Sequence, residues 1–233
     1  MGEFVITKLE KGAWEPSLLD EMARLVGPST GPIPPVLEAE LLRGDRLYLA
    51  RDAQGLVAFL VVARVRLPVG PERRHGRYLG LSAVRQDQRG VGAAEALHAH
   101  FIADAQAEER RLRQRLVLFS AATTPRALRT ARAFWGNVQP AHDSSFPAEL
   151  LPVACAAAHW LGARPSPELP FVLPGSGNTA RPWPGAARVD GETDGVDLFR
   201  RLGVEAINGD RLLVFYSLPQ SGVSSSTAAE AAA

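Results

Sequence analysis

Six consecutive residues, Arg89-Gly90-Val91-Gly92-Ala93-Ala94, set a guanidinium beside four positions with a minimal side chain or none. Ahead of them, Tyr78-Leu79-Gly80-Leu81-Ser82-Ala83-Val84 is a short, mostly apolar run of strand length, followed by the polar turn Arg85-Gln86-Asp87-Gln88. Behind them, Val91, Ala94, Leu97, His98, Phe101, Ile102 and Ala105 recur at helical spacing. A strand, a small-residue loop and a helix in that order leave the N–H groups of residues 90 to 94 without intrahelical partners at the positive end of the helix. Missing or minimal side chains let a bulky anion reach that backbone. The chemistry these residues suit is the cradling of a pyrophosphate.

Arg89, Gly92 and Ala94 resemble the acetyl-CoA signature of the GNAT superfamily of N-acetyltransferases: Arg or Gln, two residues, Gly, one residue, then Gly or Ala. The resemblance implies an α/β (α+β) fold, with a mixed, mostly antiparallel central sheet, helices on both faces and splayed central strands forming an acyl-CoA cleft. It implies transfer of an acetyl group from acetyl-CoA, used as co-substrate, to a primary amine on a small-molecule or peptide acceptor. By position, Ser82, Ala83 and Val84 would meet the pantetheine arm, and Arg89, Gly90, Val91, Gly92, Ala93 and Ala94 would hold the pyrophosphate. The residues alone leave open a glycine turn with no ligand and a nucleotide-binding α/β protein. A dinucleotide fingerprint fits less well, because Glu95 stands where the third glycine belongs and Glu108 and Glu109 lie on the helix itself.

The catalytic half of the pattern departs from the family. Many members place a proton-donating tyrosine in an Ala-x-x-Phe-Tyr helix motif; here Ala131-Arg132-Ala133-Phe134-Trp135 offers an indole, and the alternative match around Asp197-Leu198-Phe199 offers Phe199. Neither ring donates a proton as a phenol does. Some members carry a basic glutamate early in the fourth strand, where this chain has Tyr78. Tyr78, Tyr216 and the histidines His75, His98, His100, His142 and His159 remain candidates without assigned roles, and an acyl-CoA-binding module without turnover stays open. His98 and His100, two apart on a helix, do not face each other as metal ligands, and no metal is expected.

The remaining elements must position this loop. Residues 4 to 9 alternate as a strand, Pro16 opens a helix with Leu18, Leu19, Met22, Leu25 and Val26 on one face, and Val36 to Arg43 forms a second helix stopped at Gly44. Residues 45 to 51 and 56 to 65 read as strands joined by a turn, the second apolar enough to be covered on both faces. The arginines from Arg64 to Arg77 read as a solvated hairpin tip or a basic mouth beside the cofactor. Residues 116 to 121 form the next strand, 126 to 138 a helix, 147 to 161 an apolar helix and 196 to 202 a short helix; Asn208-Gly209 signals a hairpin between residues 204 to 207 and 211 to 216. One domain over 1–218 is expected, with an insertion at about 139–195 and a mobile tail at 219–233.

With 233 residues and a formal charge of +1, the chain suits a globular domain with no general pull toward nucleic acid or membrane, so neither is expected as a partner; a homodimer stays open. The single Cys155 excludes an intramolecular disulfide and fits a cytoplasmic location. No apolar run reaches membrane-spanning length.

Overall fold

The computed structural model describes residues 4–27, 33–135, 137–141, 143–177 and 194–219. The expected tail at 219–233, most of the loop expected around residues 166 to 195, and His142 lie wholly or largely outside these.

The strand β1 (Val5–Glu10) precedes α1 (Pro16–Val26) and α2 (Pro35–Arg43), each begun by a proline whose missing N–H costs nothing in the first helical turn. Then come β2 (Arg46–Asp52), β3 (Gly55–Val69), β4 (Glu72–Val84), α3 (Ala93–Leu112), β5 (Val117–Ala122) and α4 (Pro125–Phe134). The second half holds β6 (Val138–Gln139), α5 (Leu151–Trp160), β7 (Val172–Leu173), α6 (Asp194–Arg201) and β8 (Arg211–Tyr216). The sheet order is β1-β2-β3-β4-β5-β8-β6, with β7 also on β8. Every pairing is antiparallel except β4 with β5, so the expected mixed, mostly antiparallel sheet is borne out.

Strand alternation divides the core between two faces. Leu47, Leu49, Phe59 and Val61 pack with α1 and α2, while Tyr48, Ala50, Leu60 and Val62 pack with Leu97, Phe101 and Ala105 of α3. Tyr78 touches both Glu40 of α2 and Trp160 of α5, so α5 covers the α2 face further along the strands. Residues 56 to 63 are all buried, which is why β3 reads as a continuous apolar run.

Three expectations need correction. Residues 64 to 77 are a longer paired hairpin than expected, with β3 and β4 paired out to Val69 and Glu72 and Gly70 and Pro71 at the turn; Arg64, Arg66, Arg73 and Arg74 are exposed on it, but Arg77 is not. Arg77 is only 4% exposed and donates to Glu108 of α3, Arg64 pairs with Asp45, and Arg74 pairs with Glu72. The hairpin expected at Asn208-Gly209 is absent, because residues 206 to 208 form a 3-10 turn. There Val204 N–H caps α6 on the Phe199 carbonyl, and the Asp210 carboxylate accepts from Glu205 N–H at 3.0 Å and Gly175 N–H at 2.9 Å. Those local bonds take the groups a strand would have used. Finally, α4 ends at Phe134, so Trp135 caps the helix rather than lying within it.

Candidate functional site

The central feature is an interruption in the sheet. β4 and β5 pair only where Gly76, Arg77 and Tyr78 face Val117, Leu118 and Phe119. At this closed end the strands are tight: a Cβ on Gly76 would stand 2.5 Å from the Val117 carbonyl oxygen. Beyond it, Leu60 faces Ser82 and Val62 faces Leu79, so Val61 alone of β3 stands opposite two residues of β4. The extra residue is a bulge at Gly80-Leu81, which bends β4 away from β5. From there on, residues 80 to 84 and 120 to 122 have no strand across the gap, and Ser82 is exposed although its strand lies in the middle of the sheet. Backbone groups along such an inner edge need other partners.

The small-residue loop caps the open end of this gap. Gly90 and Gly92 sit at φ +79° and +96°, and no protein atom lies within 4 Å of where a Cβ would stand on either. Glycine is required there by the backbone conformation, and the space above it is open. Ala96 N–H makes the first helical bond, to the Gly92 carbonyl at 2.9 Å, so the N–H groups of Ala93, Ala94 and Glu95 precede the ladder. Arg85 is tied to Asp52 at 2.7 Å and Asp87 at 2.8 Å, which anchors the start of the loop. Arg89 is exposed and enters no ion pair among the described residues. This arrangement fits a diphosphate.

On the α2 face the gap is bordered by a carboxylate that sequence reasoning missed. Glu40 is 7% exposed; its Oε1 accepts from Tyr78 Oη at 3.2 Å, and Arg43 Nη1 lies 3.5 Å away. Its Oε2 is buried with no hydrogen-bond partner among the described residues. A Cβ on Gly80 would stand 2.3 Å from this oxygen, so the glycine lets the carboxylate lie against β4 at the bulge. Burial pushes the Glu40 carboxyl up, with Arg43, Tyr78, Arg211 and the Leu81 backbone offsetting part of the effect. Burial likewise pushes the Tyr78 hydroxyl far above its ordinary value, reinforced by the Glu40 charge. A signal for Glu40 existed in the sequence: it shares a helical face with Leu37 and Leu41, where an apolar residue is expected.

On the α3 face, Trp135 is 1% exposed, stacked on Tyr216 at 5.0 Å and edge-on to Phe101 at 5.9 Å. The Tyr216 hydroxyl is paired with Ser120 Oγ and pushed well up by burial. His98 stacks on Phe134 at 4.5 Å with its Nδ1 buried and without a hydrogen-bond partner among the described residues, and burial lowers it to about 4.

The solved structures it resembles include acetyltransferases. A conserved protein of unknown function from Enterococcus faecalis, described as a probable N-acyltransferase, shares 16% identity over 55% of this chain, at a TM-score of 0.42; the match spans only 31% of that chain. The AtaT toxin bound to the C-terminus of the antitoxin AtaR and acetyl-CoA shares 15% identity over 56% of this chain and 82% of its own, at a TM-score of 0.41. The IAA acetyltransferase from Bacillus cereus shares 16% identity over 59% and 77% respectively, at a TM-score of 0.39. Other structures in this set are AtaT with acetyl-methionyl-tRNAfMet and a KacTA–DNA complex. A likeness of this extent carries no argument about this chain's reaction or acceptor. No protein-family model matches the chain, and no curated protein matches it in sequence.

Of the residues expected at the site, the structure brings Ser82, Ala83 and Val84 to the open stretch of β4 and Arg89 through Ala94 to the end of the same gap. Ala83 points into the α1/α2 core, leaving only its backbone for the gap. His100 and His159 are exposed on helices, and His75 is half-buried near the far end of β4. Phe199 is buried on α6, which packs against α4. Among the described residues no group of three or more His, Cys, Asp or Glu could hold a metal ion, and no helix is long and apolar enough to cross a membrane. Two surface cavities, of about 390 and 560 Å³, lie beyond the closed end, around Arg74, Arg115 and Tyr216 and around Arg110 and Arg113; neither is lined by the loop or by Glu40.

Proposed function

We propose that this chain is a GNAT-type N-acyltransferase that transfers an acetyl group from acetyl-CoA to a primary amine. One observation carries the reading: an inner strand whose edge is unpaired from Gly80 to Val84, leading directly into a glycine loop at a helix N-terminus. The open edge offers backbone groups to the amides of a pantetheine arm, and the loop offers N–H groups and Arg89 to the diphosphate. Glu40 supplies the base that the sequence did not reveal. An alkylamine is protonated near neutral pH, so a group beside the bulge must take a proton before or during attack. In the step proposed here the ammonium first gives one proton to solvent. The neutral amine nitrogen then bonds to the acyl carbon and passes its second proton to Glu40, the C–S bond breaks, and the thiolate takes a proton from water, whose hydroxide is neutralised by the proton held on Glu40.

The test pairs ligand binding with turnover. Acetyl-CoA is expected to raise the melting temperature, and Ala94→Glu to abolish that rise by placing a carboxylate where the diphosphate would lie. An acid in the first helical turn is otherwise well tolerated, so the ligand-free melting temperature should hold. Thiol release across a panel of amines then reads transfer. An unchanged rise in Ala94→Glu would remove the loop from the site. A normal rise with no thiol release from any amine would favour a binding module.

A further inference from the structure

Arg211 opens β8 and is 7% exposed. Its pairing register puts it on the same face as Phe215, hence as Phe119 and Tyr78. Its Nε donates to Ser176 Oγ at 3.0 Å, and that hydroxyl in turn donates to the Leu173 carbonyl at 2.9 Å. The Nε side of the guanidinium is therefore fixed, and the two Nη groups form its outward end. Among the described residues no carboxylate pairs with it; Glu40 has only Arg43 as an ion-pair partner. A buried, unpaired guanidinium is costly, and removing its charge is not an available escape. Across the same aromatic wall of Tyr78, Phe119 and Trp160 lies Oε2 of Glu40, buried and without a hydrogen-bond partner among the described residues.

Resting on the acyltransferase reading, we propose that the acceptor is an amine that also carries a carboxylate, an α-amino acid or a close analogue, with its amine at Glu40 and its carboxylate on the Nη fork of Arg211. Two opposite charges buried on one face without pairing to each other fit a zwitterion that spans them. The planar guanidinium end matches a carboxylate bidentately, which a single ammonium could not do. Burial raises the Glu40 carboxyl, and the positive field of Arg211 acts with Arg43 and Tyr78 in the opposite direction.

Binding is measured by calorimetry with unreactive CoA present, so the result does not depend on transfer. The probes are the α-amino acids and their decarboxylated amines, for example leucine with 3-methylbutylamine and phenylalanine with phenethylamine. At least one amino acid is expected to bind on the order of a hundredfold more tightly than its decarboxylated partner, and Arg211→Gln to erase that difference. This comparison within the native protein stands even if the variant folds poorly. Equal affinity within every pair, or no binding by any amino acid, would overturn the proposal. Acetyl-CoA binding with thiol release from simple amines but no preference for a carboxylate would overturn it while leaving the acyltransferase reading intact.

Discussion

Glu40 is a carboxylate held where a carboxylate is expensive, and its pH behaviour follows from that. Its folded-state value lies above the ordinary one because burial disfavours the charged form. As a base it must be ionised, so kcat/KM is expected to rise with pH through a limb placed above the usual carboxylate range. Glu40→Gln should lower turnover by about 10² to 10⁴ and remove this limb, with the acetyl-CoA melting shift retained. Stability runs the other way. A raised value means the folded chain keeps its proton longer than the unfolded one, so this stabilising contribution is present below the unfolded value and lost as pH rises through the folded value. Glu40→Gln should therefore melt higher than the native chain above that range, the trade expected where a strained group serves chemistry. A pH–rate profile that keeps its acid limb in the variant would assign the proton to another group.

At the scale of elements, α3 and α4 meet through Phe101, His98, Phe134 and Trp135, with Tyr216 of β8 beneath. Trp135 stands where the family pattern would put a proton-donating tyrosine, yet it is sealed between rings just past the end of α4. Its role is packing. Trp135→Phe is expected to cost about tenfold or less in activity, whereas Trp135→Ala should cost about 3–5 kcal/mol in stability, read by denaturant melts. A thousandfold loss in Trp135→Phe with acetyl-CoA binding intact would mean the indole acts on the reaction. The same scale explains the failed hairpin. Asn208-Gly209 does make a turn, with Gly209 at φ +75°, but Val204 and Glu205 are already bound to the end of α6 and to Asp210.

For the whole molecule, the decisive feature is a sheet, of eight strands among the described residues, that is continuous at one end and split at the other. The Arg77–Glu108 pair and the close contact at Gly76 fasten β4 at its closed end, while the bulge turns its other end away. Backbone amides in an unpaired inner edge exchange faster than those in a ladder. Acetyl-CoA is expected to slow hydrogen exchange selectively in residues 80 to 84, 90 to 95 and 120 to 122, measured by mass spectrometry. A rise in melting temperature with no protection there would place the ligand elsewhere, including the cavity near Arg74 and Arg115.

The order of elements through β5 and the helix after the loop were legible in the sequence, because helical spacing and strand-length apolar runs are local signals. The candidate phosphate loop was legible for the same reason: its parts are contiguous. Glu40 and Arg211 were not, since the two are 171 positions apart in number (211 minus 40) and meet one face only through the pairing of β4, β5 and β8. Arg77 misled for a related reason. An arginine beside other arginines reads as solvated until the long arms of β3 and β4 carry it under α3, where Glu108 receives it. Spacing along the chain determined the loop and helix proposed to hold an anion; only the tertiary fold decided which charges are buried beside the gap, because burial is set by what lies opposite and not by what lies next in sequence.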